Sequence, residues 1–226
     1  MSLGSAATFY VMAGNSPAAV PLAREGLALA RQLGMPTAVA LCLTALAGAL
    51  ADADPEQARA LLRESLQLEA SLDYETWSEI TQAALISARL EEWDQALDLA
   101  SRAIRHLHWG GERPLLGAMS NIVARVLAPV TAEAAAVIQG AAYVLATQSP
   151  TAAAPVPAGQ PRAAGGPRTG TASFVTDLRR ETTGLLRDRL GEQRLRELRA
   201  QGGLMNTDEA VAYVLDAVAD YQRAAD

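Results

Sequence analysis

A small–apolar–small pattern of residues returns along the chain at a nearly fixed interval. Ala19, Ala23 and Gly26 are followed by Ala58, Leu62 and Ser65, then by Ala96, Ala100 and Ala103, then by Ala134, Ile138 and Ala141. The steps are 39, 38 and 38 residues. Self-similarity at such a period marks stacked supersecondary units, each too small to bury its own apolar face alone. Within a unit the three positions stand at i, i+4 and i+7, which share one face of an α-helix. Small side chains there let a neighbouring helix approach closely.

The punctuation between units agrees with helices. Asn15-Ser16-Pro17 and Asp54-Pro55-Glu56 place a capping residue and a proline at a helix start, where proline's missing N–H costs nothing. Thr131-Ala132-Glu133 is a weaker version with an acid in the first turn. Leu33-Gly34-Met35-Pro36, Leu72-Asp73-Tyr74 and Trp109-Gly110-Gly111 read as breaks between pairs, with Gly34 and the Gly110-Gly111 pair as C-terminal caps. First helices are expected near 5–14, 36–51, 74–90 and 113–128. The array is therefore helix–turn–helix about four times over residues 1–148, with the first pair truncated. Half of the residues are hydrophobic and only 4% aromatic. Alanine and leucine supply that half, which favours helices over strands.

From 149 to 171 proline and glycine dominate and bulky apolar residues nearly vanish, the composition of an extended linker. Gly165-Gly166-Pro167-Arg168-Thr169-Gly170 imitates a phosphate loop, but it follows no strand and contains no lysine. Helical spacing resumes over 172–226. Phe174, Leu178, Leu185, Leu186 and Leu190 form a stripe, Gly191 breaks it, and Leu195 and Leu198 follow. Asn206-Thr207-Asp208-Glu209 then opens a last helix that buries Ala210, Val211, Val214, Leu215, Val218 and Tyr221. This tail is expected to pack back on the repeats.

Several chemistries are excluded or disfavoured. All 19 basic residues are arginine, so the chain has no lysine for a P-loop or a Schiff base. The single Cys42 allows no internal disulfide. It sits in an apolar run, as a small core residue in a reducing cytoplasm would. Neither a signal peptide nor a membrane-spanning run is apparent. Met1-Ser2-Leu3 resembles an expression scar, which would make the chain a fragment. Residues 1–150 carry 15 acids against 9 arginines, and 201–226 carry 5 against 1. Residues 151–200 reverse this, with 9 arginines against 5 acids, read as a solvated helix face. An acidic body of this kind argues against direct nucleic-acid binding.

Arg89-Leu90-Glu91-Glu92-Trp93-Asp94-Gln95-Ala96-Leu97 resembles the turn and second-helix start of a tetratricopeptide repeat (TPR), with Trp93 in the aromatic slot and Ala96, Ala100 and Ala103 in the small slots. The longer period is similar to the repeats of large bacterial regulators, the LuxR-type or MalT-like activators and the actinobacterial ATPase- or cyclase-linked proteins. Residues 190–213 look like the C-terminal end of the same regulators. Gly26, Ser65 and Ala100 depart from the consensus, and no repeat has its full set of aromatics. The resemblance implies an all-α, α–α superhelix of TPR-like hairpins with a helical tail. It also implies a cytoplasmic sensory or interaction module whose ATPase or output domain lies upstream.

The remaining constellations read as structural. His106 and His108 lie two apart, on different faces of a helix, and no third ligand completes a metal site. Glu91-Glu92 and Asp94-Asp98 fall at a turn and on a polar face, and no serine stands in a catalytic arrangement. Trp77, Trp93 and Trp109 read as packing residues. No catalytic residue, metal or cofactor is assigned. The fourth repeat's first helix, with Leu115, Leu116, Met119, Ile122, Val123, Val126 and Leu127, is apolar around most of its girth and must be covered on both sides. With Ile80, Thr81, Ala84 and Leu85 one repeat earlier, it suggests a groove of Thr81, Leu85, Leu116, Met119, Val123 and Val126 for a protein or peptide partner. A free-standing scaffold or a homodimer is the alternative use.

Overall fold

The computed structural model describes residues 2–72, 77–110, 113–147 and 170–225, and every element among them is an α-helix. They are α1 (Leu3–Met12), α2 (Ser16–Gln32), α3 (Pro36–Leu50), α4 (Pro55–Leu72), α5 (Trp77–Arg89), α6 (Trp93–Gly110), α7 (Arg113–Leu127), α8 (Ala132–Thr147), α9 (Thr171–Gly203) and α10 (Thr207–Ala225). The proline- and glycine-rich stretch expected at 149–171, with its phosphate-loop imitation, lies outside the described residues up to Thr169. So do Asp73-Tyr74 and Gly111. None of the described helices is long and apolar enough to cross a membrane.

The helix ends form where the local chemistry dictates. Asn15 accepts from the Ala18 N–H, and Asp54 from the Gln57 N–H, each occupying a donor that has no partner inside its helix. At the end of α2, Met35 donates to the Ala30 carbonyl and Gly34, at φ +63°, to that of Arg31. Those two bonds are a Schellman closure around a left-handed glycine. The same closure follows α5, where Glu92 donates to Ser87 and Glu91 to Ala88. There the left-handed position is held by Glu91, at φ +61°, the one non-glycine with positive φ among the described residues. Before α10, Asn206 and Glu209 cap each other's backbone N–H groups at 2.9 and 3.0 Å, a reciprocal capping box.

The described chain divides into two compact units, and the division falls within α6. The first comprises 2–99 with 170–174, the second 100–147 with 175–225, less the residues not described. The tail beyond 175 thus groups with α7 and α8 and is no unit of its own.

In the first unit, α2 packs on α1 and α3, and α3 on α1, α4 and α5. Small residues set these distances. A Cβ on Gly26 would stand 2.9 Å from Cys42 Sγ and 3.0 Å from Leu3 Cβ, so α2 lies against α1 and α3 only because that position has no side chain. Ser65, on the corresponding face of α4, is fully buried and donates to the Ala40 carbonyl at 2.9 Å, with Thr44 Oγ1 at 2.8 Å. A hydroxyl thus substitutes for an alanine by finding partners on α3. Of the twelve recurring positions only Ala134 is not buried. On the outer surface Arg31 pairs with Glu64 at 2.6 Å and Arg59 with Glu92 at 2.7 Å, both pairs 33 residues apart in sequence. Arg59 also donates to the Leu90 carbonyl, tying α4 to the turn before α6. Phe174 joins this unit under the Arg89 guanidinium, 6.0 Å from the ring centre.

In the second unit, α7 packs on α8, and α10 packs on both. Gly191 interrupts α9 at φ +74°, so the chain turns there between two helical halves, residues 171–190 and 192–203. The second half lies against α8 at backbone distance. Cβ atoms built on Gly140 and Gly202 would fall 2.1 Å from the Arg199 carbonyl oxygen and 2.0 Å from that of Val137. Arg194 reinforces the crossing by donating to Glu133 at 2.8 Å, which holds that carboxyl below its ordinary pKa.

Candidate functional site

The six residues expected to line a partner groove are divided between the two units. Thr81 and Leu85 lie on α5 in the first unit. Leu116, Met119, Val123 and Val126 lie on α7 in the second. None is more than 7% exposed. Thr81 turns its hydroxyl onto the Trp77 carbonyl at 2.6 Å. Around the four on α7 the helix is buried on almost every side, including Gly117, Ala118, Ser120 and Asn121, and both α8 and α10 pack on it. The girth of α7 announces a covered helix, and the chain's own helices supply cover.

The tryptophans divide. Trp109 is 87% exposed among the described residues, its ring T-shaped to that of His108 at 5.1 Å between centres, so it is not a core packing residue there. Trp77 is also exposed, and Trp93 is half-buried. His108 Nε2 stands 3.4 Å from Asp208 at the start of α10. Among the described residues no group of three His, Cys, Asp or Glu side chains could hold a metal ion.

Two other places carry features of a site. The first unit has an apolar cavity of about 340 Å³ where α1, α2 and α3 meet. Leu3, Leu29, Leu33, Met35 and Leu41 line it, and Cys42 reaches it from α3. Leu29, Leu33 and Met35 are exposed, Leu33 at 61%; α1 adds Phe9 at 64% and Met12. The Cys42 thiol is buried and desolvation raises its pKa, so it remains a neutral, inert core group.

The second unit holds a cavity of about 560 Å³ between α8 and the two halves of α9. Its floor is a hydrogen-bonded cluster around Gln139, which is 3% exposed. The Gln139 amide donates to the Arg179 carbonyl at 3.0 Å and to Thr183 Oγ1 at 3.2 Å. Its carbonyl accepts from Arg199 Nε at 2.9 Å and from Nη2. Arg199 Nη2 also donates to Thr183 Oγ1 at 2.6 Å, and that hydroxyl donates to the Arg179 carbonyl at 2.7 Å. Arg179, Arg180 and Arg199 line the walls, and among the described residues no carboxylate does. Arg180 is paired with Asp177 at 2.5 Å, outside the lining. Burial and then the neighbouring Arg179 charge lower the Arg199 pKa.

No protein-family model matches the chain, and no curated protein or solved structure matches it significantly.

The sequence pattern does not announce this cavity. The arginine excess of 151–200 reads from sequence as a solvated face, and Arg179 and Arg180 are indeed exposed while Arg199 is half-buried. A usable signal is Gln139-Gly140, an amide beside a glycine inside the otherwise apolar run from Ala134 to Ala146. A polar side chain in such a run has to find partners when buried.

Proposed function

We propose that the chain is a non-catalytic protein–protein interaction and sensory module, an α–α superhelix of TPR-like hairpins from a bacterial signalling or transcriptional regulator of the LuxR-type or MalT-like kind. The observation that carries this is the apolar surface on the first unit. Leu29 in α2 and Leu33 just after it are exposed and line an open apolar cavity, and α1 also exposes Phe9 and Met12. Exposed apolar side chains gathered at a cavity are what a partner protein covers. The expected partner is an upstream ATPase or output domain of the same regulator. An effector would act by favouring one arrangement of array and output domain over another.

The test begins with the coding sequence that precedes this chain in its gene. A domain encoded there, expressed separately, should bind the chain in titration calorimetry. Leu29→Arg with Leu33→Arg should abolish that binding while leaving the helical circular dichroism unchanged. Wild-type affinity in that double variant would overturn the reading.

The same surface also fits a second copy, because an isologous dimer needs only one self-complementary patch. Sedimentation velocity over a range of concentrations separates the two. A monomer at all concentrations, whose Leu29→Arg/Leu33→Arg form sediments identically, excludes the free-standing dimer.

A further inference from the structure

We propose that the cavity between α8 and α9 is a binding site for a small organic oxyanion, a molecule with a carboxylate or phosphate group on an apolar body. This site belongs to the second unit alone and goes beyond the docking surface proposed above. Three arginines line one cavity, and among the described residues no carboxylate does. Arg180 is neutralised by Asp177, but among the described residues Arg179 and Arg199 have no acidic partner within ion-pair distance. A half-buried cation facing a second cation is electrostatically unfavourable, and charges withdrawn from water are ordinarily paired. Burial and Arg179 both disfavour the charged form of Arg199, and the attraction of a bound anion would oppose both effects.

The site is also built in advance. Gln139 and Thr183 hold Arg199 through its Nε and Nη2 groups, which leaves Nη1 without a hydrogen bond among the described residues. Fixed in this way, the guanidinium can present its remaining N–H groups to an oxyanion with little further loss of side-chain freedom. The volume, about 560 Å³, falls in the range that accommodates drug-sized ligands and greatly exceeds a lone phosphate. Tyr143 and the aliphatic stems of the arginines would contact the apolar body.

The experiment uses the whole chain labelled with nitrogen-15, titrated with phenyl phosphate, with benzoate and with phenol at constant ionic strength. The arginine Nε–H resonances are the readout. Phenyl phosphate or benzoate should shift the Arg199 signal saturably, phenol should not, and affinity should fall as salt rises. Arg199→Gln removes part of the cavity floor and could unfold the unit, so the deciding variant is Arg179→Gln. That side chain is exposed, and its backbone carbonyl, which Gln139 uses, is retained. It should weaken binding about tenfold, the effect of losing one favourable charge contact of roughly 1.4 kcal/mol. Arg223→Gln, on α10 and outside the cavity lining, should leave affinity unchanged. Equal binding of phenol, no saturable shift by either anion, or unaltered affinity in Arg179→Gln would each overturn the assignment.

Discussion

Replacing Gly140 by alanine adds one methyl group to α8, and the structure sets its cost. That carbon would stand 2.1 Å from the Arg199 carbonyl oxygen and 2.8 Å from the carbonyl carbon and Cα of the same residue. A close carbon–oxygen contact is about 3.3 Å, so the second half of α9 must retreat by about 1 Å. The obstacle is backbone and cannot swing aside. Overpacking of this kind costs about 1–3 kcal/mol. The retreat also draws Arg199 away from Gln139, and leaving that buried amide unsatisfied adds about 1–3 kcal/mol. Alanine's better helix propensity returns about 1 kcal/mol. The net is a loss of about 1–5 kcal/mol, centred near 3 kcal/mol.

Two companion changes in α9 isolate the cause. Gly184 is helical, and a Cβ added there would meet nothing within 4 Å, so Gly184→Ala should stabilise by about 0.5–1 kcal/mol. Gly191 is equally open but sits at φ +74°, ψ 163°, a region essentially confined to glycine, so Gly191→Ala should cost about 1–3 kcal/mol from backbone conformation alone. Urea unfolding followed by far-ultraviolet circular dichroism reads all three. Midpoints that move the same way and by similar amounts for Gly140→Ala and Gly184→Ala would refute the backbone contact between α8 and α9.

Three further outcomes are expected. Glu91→Gly should raise the unfolding midpoint by the equivalent of about 0.5–1 kcal/mol, because glycine adopts the left-handed turn after α5 without the Cβ clash. Asn206→Ala should lower it by about 1 kcal/mol by opening the capping box of α10, and a calorimetric scan would detect this. Burial raises the Glu79 pKa, so the folded state holds that proton more tightly than the unfolded chain does. Its contribution to stability is fully present below the ordinary glutamate value of about 4.5 and is lost as pH rises through the raised value. Glu79→Gln should therefore gain stability at neutral pH, with the gain shrinking toward acid pH in paired denaturation curves.

How much of this is legible in the sequence depends on the range of the cause. Helix existence and most boundaries are local. Capping bonds at Asn15, Asp54 and Asn206, prolines at first turns and the turn at Gly34 all act within a few residues, so the sequence displays them directly. The twelve-position pattern is legible because burial against a neighbour imposes a small residue at each end of the motif and an apolar one between them, all on one face. Even so, Gly26 and Ser65, which depart from the consensus, meet that requirement by different means: one has no side chain and the other hydrogen-bonds to Ala40.

What fills the space opposite a face is not legible. The apolar girth of α7 demands cover, but chain, twin and partner satisfy that demand equally, and only the folded structure shows α8 and α10 there. The polar cavity is hidden for a related reason. Gln139, Thr183 and Arg199 lie 16 to 60 residues apart, and each alone is an ordinary helix-surface residue type. Their meeting depends on two glycines, Gly140 and Gly202, that admit two backbones to within contact. The same glycines therefore serve both the fold and the candidate site. A methyl group at Gly140 should weaken anion binding and lower stability together, whereas Arg179→Gln should weaken binding alone. That separation distinguishes a cavity shaped for a ligand from one left over by helix packing.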